Sequence, residues 1–220
     1  MRAADCPGRK RADSGLPHFS AQARRALEAQ SALMNTAHQT TAFLRSLRSV
    51  RRFSPQPIPQ DVLLDVLEVA RWTGSSKNTQ PWHVIVVRER ETLTRLATCG
   101  PFAGHLAGAQ AAIVLVMEDA HRSFDEGRLA QNVMLAAWAH GVGTCIGSLY
   151  PEANTARAME LLDVPAKRGL HTAISLGYPA DDQALRLSAN PAGLTSVPIG
   201  RDDLSTLVSW ERFGRSGASS

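Results

Sequence analysis

The sequence predicts an α/β protein in which helices and strands alternate regularly from Thr40 onward. Two observations carry that expectation. His83 to Val87 (HVIVV) and Ala111 to Met117 (AAIVLVM) are β-branched, apolar runs of strand length, continuous enough to read as central strands. Beside them, two sets of apolar residues recur at the spacing of a single helix face. One set is Val62, Leu63, Val66, Leu67 and Ala70; the other is Leu129, Val133, Ala136, Ala137 and His140.

The elements follow in order. Pro59 and Asp61 make a helix start, because a proline at the first turn has no N–H to leave unpaired and an acid complements the helix dipole. Gly74 is read as the stop. A second helix spans Glu126 to His140 and is ended by Gly141. A third strand runs through Thr144 to Ile146 and a fourth through His171 to Gly177; Pro191 to Gly200 reads as an irregular C-terminal arm, with a short helical segment from Asp202. There is no internal repeat.

Composition bounds the function classes. At 220 residues, 44% hydrophobic and 20% charged, the chain fits one globular domain with a sizeable core. Its longest apolar run, Ala111 to Met117, is far too short to span a bilayer as a helix, so no membrane role is expected. Cys6, Cys99 and Cys145 are widely spaced and odd in number, which builds neither a disulfide framework nor a CxxC metal site and suits a reducing, cytoplasmic compartment. The formal net charge is +4, a hint of nucleic acid. Its placement weakens the hint: Arg2, Arg9, Lys10, Arg11, Arg24 and Arg25 against Asp5, Asp13 and Glu28 put three of those four charges before Met34. Residues 1–33 lack the apolar core of a secretory signal and read as a mobile or extraneous tail, and residues 34–220 as the functional domain.

Two constellations carry chemistry. In Arg48-Ser49-Val50-Arg51-Arg52-Phe53, several cations and a hydroxyl fall where a helical stretch enters a loop. Guanidinium groups grip phosphate oxygens by paired charge-assisted hydrogen bonds, although basic residues at a helix C-terminus also simply complement the macrodipole. The second is Trp72-Thr73-Gly74-Ser75-Ser76-Lys77-Asn78-Thr79-Gln80-Pro81-Trp82, a dense hydrogen-bonding surface flanked by two indoles. It reads equally as a turn whose tryptophans pack in the core. His83, His105, His121, His140 and His171 have no metal-ligand spacing, so no metal site is expected; Cys145 reads as a buried structural thiol. Gly141-x-Gly143 lacks the third glycine of a Rossmann fingerprint, and Ser75 and Ser76 lack a hydrolase order of His and Asp.

Taken together and in this order, the segments resemble the nitroreductase family. The carriers are the Arg-Ser-x-Arg-x-Phe stretch at Arg48, Ser-Ser-x-Asn-x-Gln-Pro-Trp from Ser75, and the helix start Asp125-Glu126-Gly127-Arg128-Leu129-Ala130-Gln131-Asn132. Gly141-Val142-Gly143-Thr144-Cys145-Ile146-Gly147-Ser148, Gly177-Tyr178-Pro179, and Gly200-Arg201 with Trp210-Glu211-Arg212-Phe213-Gly214 complete them, so the resemblance covers roughly Phe43 to Gly214. It implies an α+β fold, a three-layer α/β/α sandwich around a central mixed, mainly antiparallel sheet. It also implies a homodimer with flavin mononucleotide (FMN) at the subunit interface and NADH or NADPH as electron donor. The acceptor would be small and electron-poor, a nitroaromatic, quinone or enone, reduced in a ping-pong cycle by the flavin N5 without a catalytic side chain.

At matching positions, Arg48, Ser49 and Arg51, with Arg201 from the C-terminal arm, would hold the flavin phosphate. Ser75, Ser76, Asn78 and Gln80 would reach the cofactor from the partner subunit, and Ile146, Gly147 and Ser148 would meet one edge of the ring. For Gln131 and Asn132, helix surface and hydrogen bonding weigh as much as flavin contact. Two positions depart from the family pattern: Leu47 stands where another basic residue is common, and Gly74 where proline is usual. The rival readings are a flavin-binding storage protein without turnover, and a reductase of one specialised metabolite on the same fold. A nucleic-acid module ranks third.

Overall fold

The computed structural model describes residues 35–182 and 201–215. The boundary at Met34 and the arm from Pro191 to Gly200 lie outside the described residues. The chain divides into two compact units, Met1–Ser46 and Leu47–Ser220. In the first, residues 35–46 form one helix, α1, in which the Thr40 and Thr41 hydroxyls donate to carbonyls one turn back.

The second unit runs α2 (Gln60–Arg71), a 3-10 turn (Ser76–Asn78), β1 (Trp82–Val87), α3 (Arg90–Leu96) and a second 3-10 turn (Gly104–Gly108). It continues through β2 (Ala111–Met117), α4 (Ser123–Ala139), β3 (Gly143–Ser148), α5 (Glu152–Leu161), β4 (Gly169–Gly177) and α6 (Leu204–Leu207). The strands lie in the order β1-β2-β4-β3, each pair antiparallel. One parallel bridge, Ser49 to Thr144, continues the sheet beyond β3 and makes it mixed but mainly antiparallel.

Each face of this sheet has its own core. On one side, Leu63, Val66 and Ala70 of α2 and Leu129, Val133, Ala136 and Ala137 of α4 close over Ile113, Leu115, Ile174 and Leu176. On the other, Leu93 and Leu96 of α3, Leu106 of the second 3-10 turn and Ala158 of α5 close over Val114, Val116, Leu170 and Ala173. This is the three-layer sandwich. β2, flanked on both edges and covered on both faces, is buried along its whole length, which is why its sequence is an unbroken apolar run.

The other apolar run is placed differently from its expectation. Among the described residues β1 lies at an edge of the sheet, not at its centre. It reads as central because Val84 packs into one core and Ile85 into the other. An edge is visible only in unpaired backbone groups, which side-chain composition does not record.

The helix boundaries also shift. α2 ends before Gly74, because the N–H groups of Trp72 and Thr73 turn back onto Val69 and Ala70 at 3.1 and 3.0 Å. α4 begins at Ser123, three residues before Glu126, since its first turn carries no buried apolar side chain to announce the period. His140 leaves the predicted stripe: it caps α4 at the surface, its Nε2 2.7 Å from Asp65 Oδ2. No helix among the described residues is long and apolar enough to cross a membrane.

Candidate functional site

The segment Leu47–Phe53 is laid against β3 by backbone pairing. Val50 N–H donates to Thr144 O at 2.8 Å, and further along Ser54 N–H donates to Tyr178 O at 2.8 Å. Val50 is fully buried, and a Cβ built on Gly143 would stand 2.6 Å from its side chain. Only a residue without a side chain lets the segment approach β3 this closely. With Val50 inward, alternation turns its neighbours Ser49 and Arg51 outward, and both are exposed. Arg48 is half-buried, with Nη1 donating to Leu47 O at 2.9 Å.

The same edge carries Ile146, Gly147 and Ser148. Ile146 and Ser148 alternate outward and are exposed, whereas Gly147 is buried. The structure therefore gathers Arg48, Ser49, Arg51, Ile146, Gly147 and Ser148 along one margin of the sheet, with cations beside an open strand edge. That donor set suits an anionic tail attached to a flat group.

Behind this margin lies a polar chain that sequence reading did not find. Ser175 Oγ donates to Cys145 O at 3.2 Å and pairs with His105 Nδ1 at 2.8 Å. With the hydroxyl proton on the carbonyl, Nδ1 carries the proton it gives to Ser175, leaving Nε2 a bare acceptor. Nε2 is buried and has no hydrogen-bond partner among the described residues. Burial pushes the His105 pKa down to about 4; Arg51 adds to the fall, and the nearby Ile146 backbone opposes it. Burial also raises the Cys145 thiol, against the pull of Arg51 and a hydrogen bond from Ser49. Arg51 thus stands close enough to influence both buried groups, and Ser49 close enough to influence Cys145. In the sequence only Ser175, a hydroxyl inside an apolar strand, hints at the chain; its partner His105 is 70 residues away.

The turn Trp72–Trp82 is placed elsewhere. It feeds β1 through Gln80 and Pro81, with Trp82 N–H donating to Gln80 O at 2.8 Å. β2 and β4 separate β1 from β3, so the two edges stand on the order of 14 Å apart at about 4.8 Å per strand. Within the turn, Ser75 Oγ accepts from Gln80 N–H at 2.8 Å, and Asn78 and Thr79 N–H donate to Ser75 O and Ser76 O at 3.1 Å. Lys77, Asn78 and Gln80 all take positive φ, 52°, 54° and 48°. Ser76, Asn78 and Gln80 are exposed and Ser75 is half-buried. Trp72 is a surface residue, 74% exposed with Nε1 bonded to Glu68, so only Trp82 packs against the core. Asn132 reaches the turn, Nδ2 donating to Thr73 Oγ1 at 2.8 Å, and Gln131 is exposed. Arg201 is exposed at the start of the described segment 201–215.

This architecture recurs in known proteins. The model of the nitroreductase family matches residues 44–99 and 102–178, more than half of the chain. An Archaeoglobus fulgidus protein whose name pairs NADH dehydrogenase with NAD(P)H nitroreductase is 33% identical over 144 residues, spanning 62% of this chain and 83% of its own. The nitroreductase NfnB of Mycolicibacterium smegmatis is 28% identical over 207 residues, 69% of this chain and 87% of that one. Among solved structures, an FMN-dependent nitroreductase of Clostridium difficile superposes with a TM-score of 0.65 at 25% identity, covering 78% of this chain and 98% of that one. The chain belongs to the nitroreductase family, and it is an oxidoreductase of that family.

Proposed function

We propose that the chain is an FMN-dependent oxidoreductase that passes hydride from NADH or NADPH to a small electron-poor acceptor, working as a homodimer in the cytoplasm. One observation carries the reading: the Val50–Thr144 pairing lays Arg48, Ser49 and Arg51 along β3, the strand that also carries Ile146, Gly147 and Ser148. Support for FMN also comes from the Clostridium difficile relative, and for the donor from the Archaeoglobus relative's name.

When bound, FMN supplies the acceptance and return of hydride at N5. The chain's residues position it. Arg48, Ser49 and Arg51, with Arg201, would hold the phosphate by charge-assisted hydrogen bonds, and Ile146, Gly147 and Ser148 would face the flavin ring. Because burial holds the His105 pKa down to about 4, its ring is neutral near pH 7 and the positive charge at this margin comes from the arginines. Ser75, Ser76, Asn78 and Gln80 sit in a turn that feeds the opposite edge of the sheet, so in this reading a second copy brings them over the cofactor. Donor and acceptor then occupy one cleft in turn, which gives ping-pong kinetics.

The test is an absorbance spectrum of purified protein, followed by anaerobic addition of NADH and NADPH. A flavin spectrum that bleaches, in a particle of twice the chain mass by ultracentrifugation, is the expected result. Protein that stays colourless after incubation with FMN overturns the reading. Bound flavin that neither nucleotide bleaches identifies a storage protein instead.

A further inference from the structure

The buried polar chain beneath β3 has a direction. Ser175 is fully buried, and its Oγ lies 2.8 Å from His105 Nδ1 and 3.2 Å from Cys145 O. A hydroxyl has one proton to give. Donated to the Cys145 carbonyl, it leaves Oγ as the acceptor for an Nδ1–H, so both bonds run the same way, from His105 through Ser175 to Cys145.

The backbone carries that direction outward. In an antiparallel ladder the N–H and C=O of one residue point to the same side, and the side alternates along the strand. Thr144 O accepts from Val50 N–H, on the side away from β4, whereas Leu149 N–H donates to His171 O, on the β4 side. Cys145 therefore turns its carbonyl toward β4, where Ser175 meets it, and Ile146 turns its N–H to the other side. Among the described residues no backbone partner covers that N–H. Cys145 O and Ile146 N–H are the two ends of one peptide group: the donor chain enters it from inside the protein, and the amide looks out beside Gly147 and Ser148.

The surroundings exclude water from the inner end. Cys145 and Ser175 are buried, and a Cβ on Gly147 would touch Ala103 at 3.4 Å, so the turn that carries His105 packs directly against β3. In such a medium each hydrogen bond polarises the next, and a donor on a carbonyl makes the N–H of the same peptide a better donor. Burial also keeps the His105 ring neutral, with one nitrogen bearing a proton and the other bare. Cys145 O alone satisfies the Ser175 hydroxyl, so hydrogen-bond accounting does not explain an imidazole buried behind it with Nε2 lacking a partner among the described residues.

The geometry points to His105 as a positioning residue for the flavin ring: acting through Ser175 and the Cys145–Ile146 peptide, it strengthens the Ile146 N–H as a donor to the ring edge and so favours reduced over oxidised FMN. This rests on the flavin reading above, which sets the ring against Ile146, Gly147 and Ser148. The ring edge gains negative charge on reduction, so a stronger donor there holds the reduced form more tightly than the oxidised one.

The experiment measures the affinity of the purified protein for oxidised FMN in air and for reduced FMN without oxygen. In His105→Phe and in Ser175→Ala, affinity for reduced FMN falls about threefold relative to that for oxidised FMN, equivalent to a two-electron midpoint potential lower by about 14 mV. His105→Asn, whose amide N–H takes the place of Nδ1–H, restores the ratio. Ser175→Ala deletes a single oxygen and serves where His105→Phe does not fold. NMR of the flavin-free protein reads the chain itself: His105 carries its proton on Nδ1, and the Ile146 amide nitrogen shifts in the same direction in His105→Phe and Ser175→Ala. A proton on Nε2, an affinity ratio unchanged in both variants, an equal loss for both redox forms, or a loss that His105→Asn leaves in place overturns the inference. Failure of the flavin reading is distinct, since wild-type protein then binds neither form of FMN whatever the NMR spectra show.

Discussion

The β3 margin and the Trp72–Trp82 turn are two halves of one proposed site, and they are made by opposite means. At β3, position is enforced by packing: Val50 buried against Gly143, Ser49 bridged to Thr144, and His105 and Ser175 tied beneath Cys145. In the turn, position is enforced by local hydrogen bonds and by three residues at positive φ, with every side chain from Ser76 to Gln80 exposed. Packing is cooperative, so damage at β3 propagates into fold stability; a surface turn opens locally and leaves the rest standing. Mutations at the two places separate stability from ligand affinity.

The largest effect is expected at Gly100, beside the end of the β3 margin. A Cβ there would stand 2.1 Å from Ser148 O, a backbone atom that cannot rotate away. Gly100→Ala lowers unfolding free energy by about 3 kcal/mol, the upper range of overpacking, and displaces Ser148. A urea midpoint unchanged from wild type breaks the claim that this margin is set by packing.

His105→Gln gives a smaller, pH-dependent change. Its pKa is about 4 in the fold against an ordinary value of 6.5, so between those limits the unfolded chain binds the extra proton. Wild-type stability is therefore full above pH 6.5 and declines as pH falls toward 4. After allowance for partial solvent access, the decline amounts to about 2 kcal/mol. In His105→Gln this limb of the stability profile flattens. Urea midpoints at pH 7 and pH 5 measure it; an equally steep fall in the variant assigns the limb to other groups.

Ser75→Ala tests the other half. It removes the acceptor for Gln80 N–H, but Gln80 is exposed and water takes over that bond, so unfolding free energy changes by less than about 1 kcal/mol. FMN affinity falls about tenfold if the turn closes over the cofactor in a dimer. Stability and affinity falling together would make the turn part of the packed framework and dissolve the contrast.

The same division explains what was legible in the sequence. β2 and the stripes of α2 and α4 were visible because burial forces apolar residues into a period. α3 and α5 went unseen: each is short, with only Leu93 and Leu96 or only Ala158 fully buried, so neither writes a clear period. The residues placed along the β3 margin were legible as motifs, since they fall in two contiguous stretches. Their support was not, because His105, Ser175 and Cys145 come from three distant places.

The smallest effect sharpens the comparison most. Lys77 holds φ 52°, ψ 21°, a left-handed conformation that costs an L-residue with a Cβ about 1 kcal/mol. Lys77→Gly removes that strain but gives the unfolded chain more freedom, an opposing entropy of about 0.4 to 1 kcal/mol. The two nearly cancel, and the unfolding midpoint stays close to wild type. Hydrogen exchange at Asn78 and Thr79 distinguishes the outcomes. Their N–H groups bond to Ser75 O and Ser76 O across residue 77, so a turn held by its hydrogen bonds keeps their protection after the substitution. Loss of protection at both amides with no change in midpoint would mean that the lysine side chain orders the turn, and that its conformation is not set by backbone bonding.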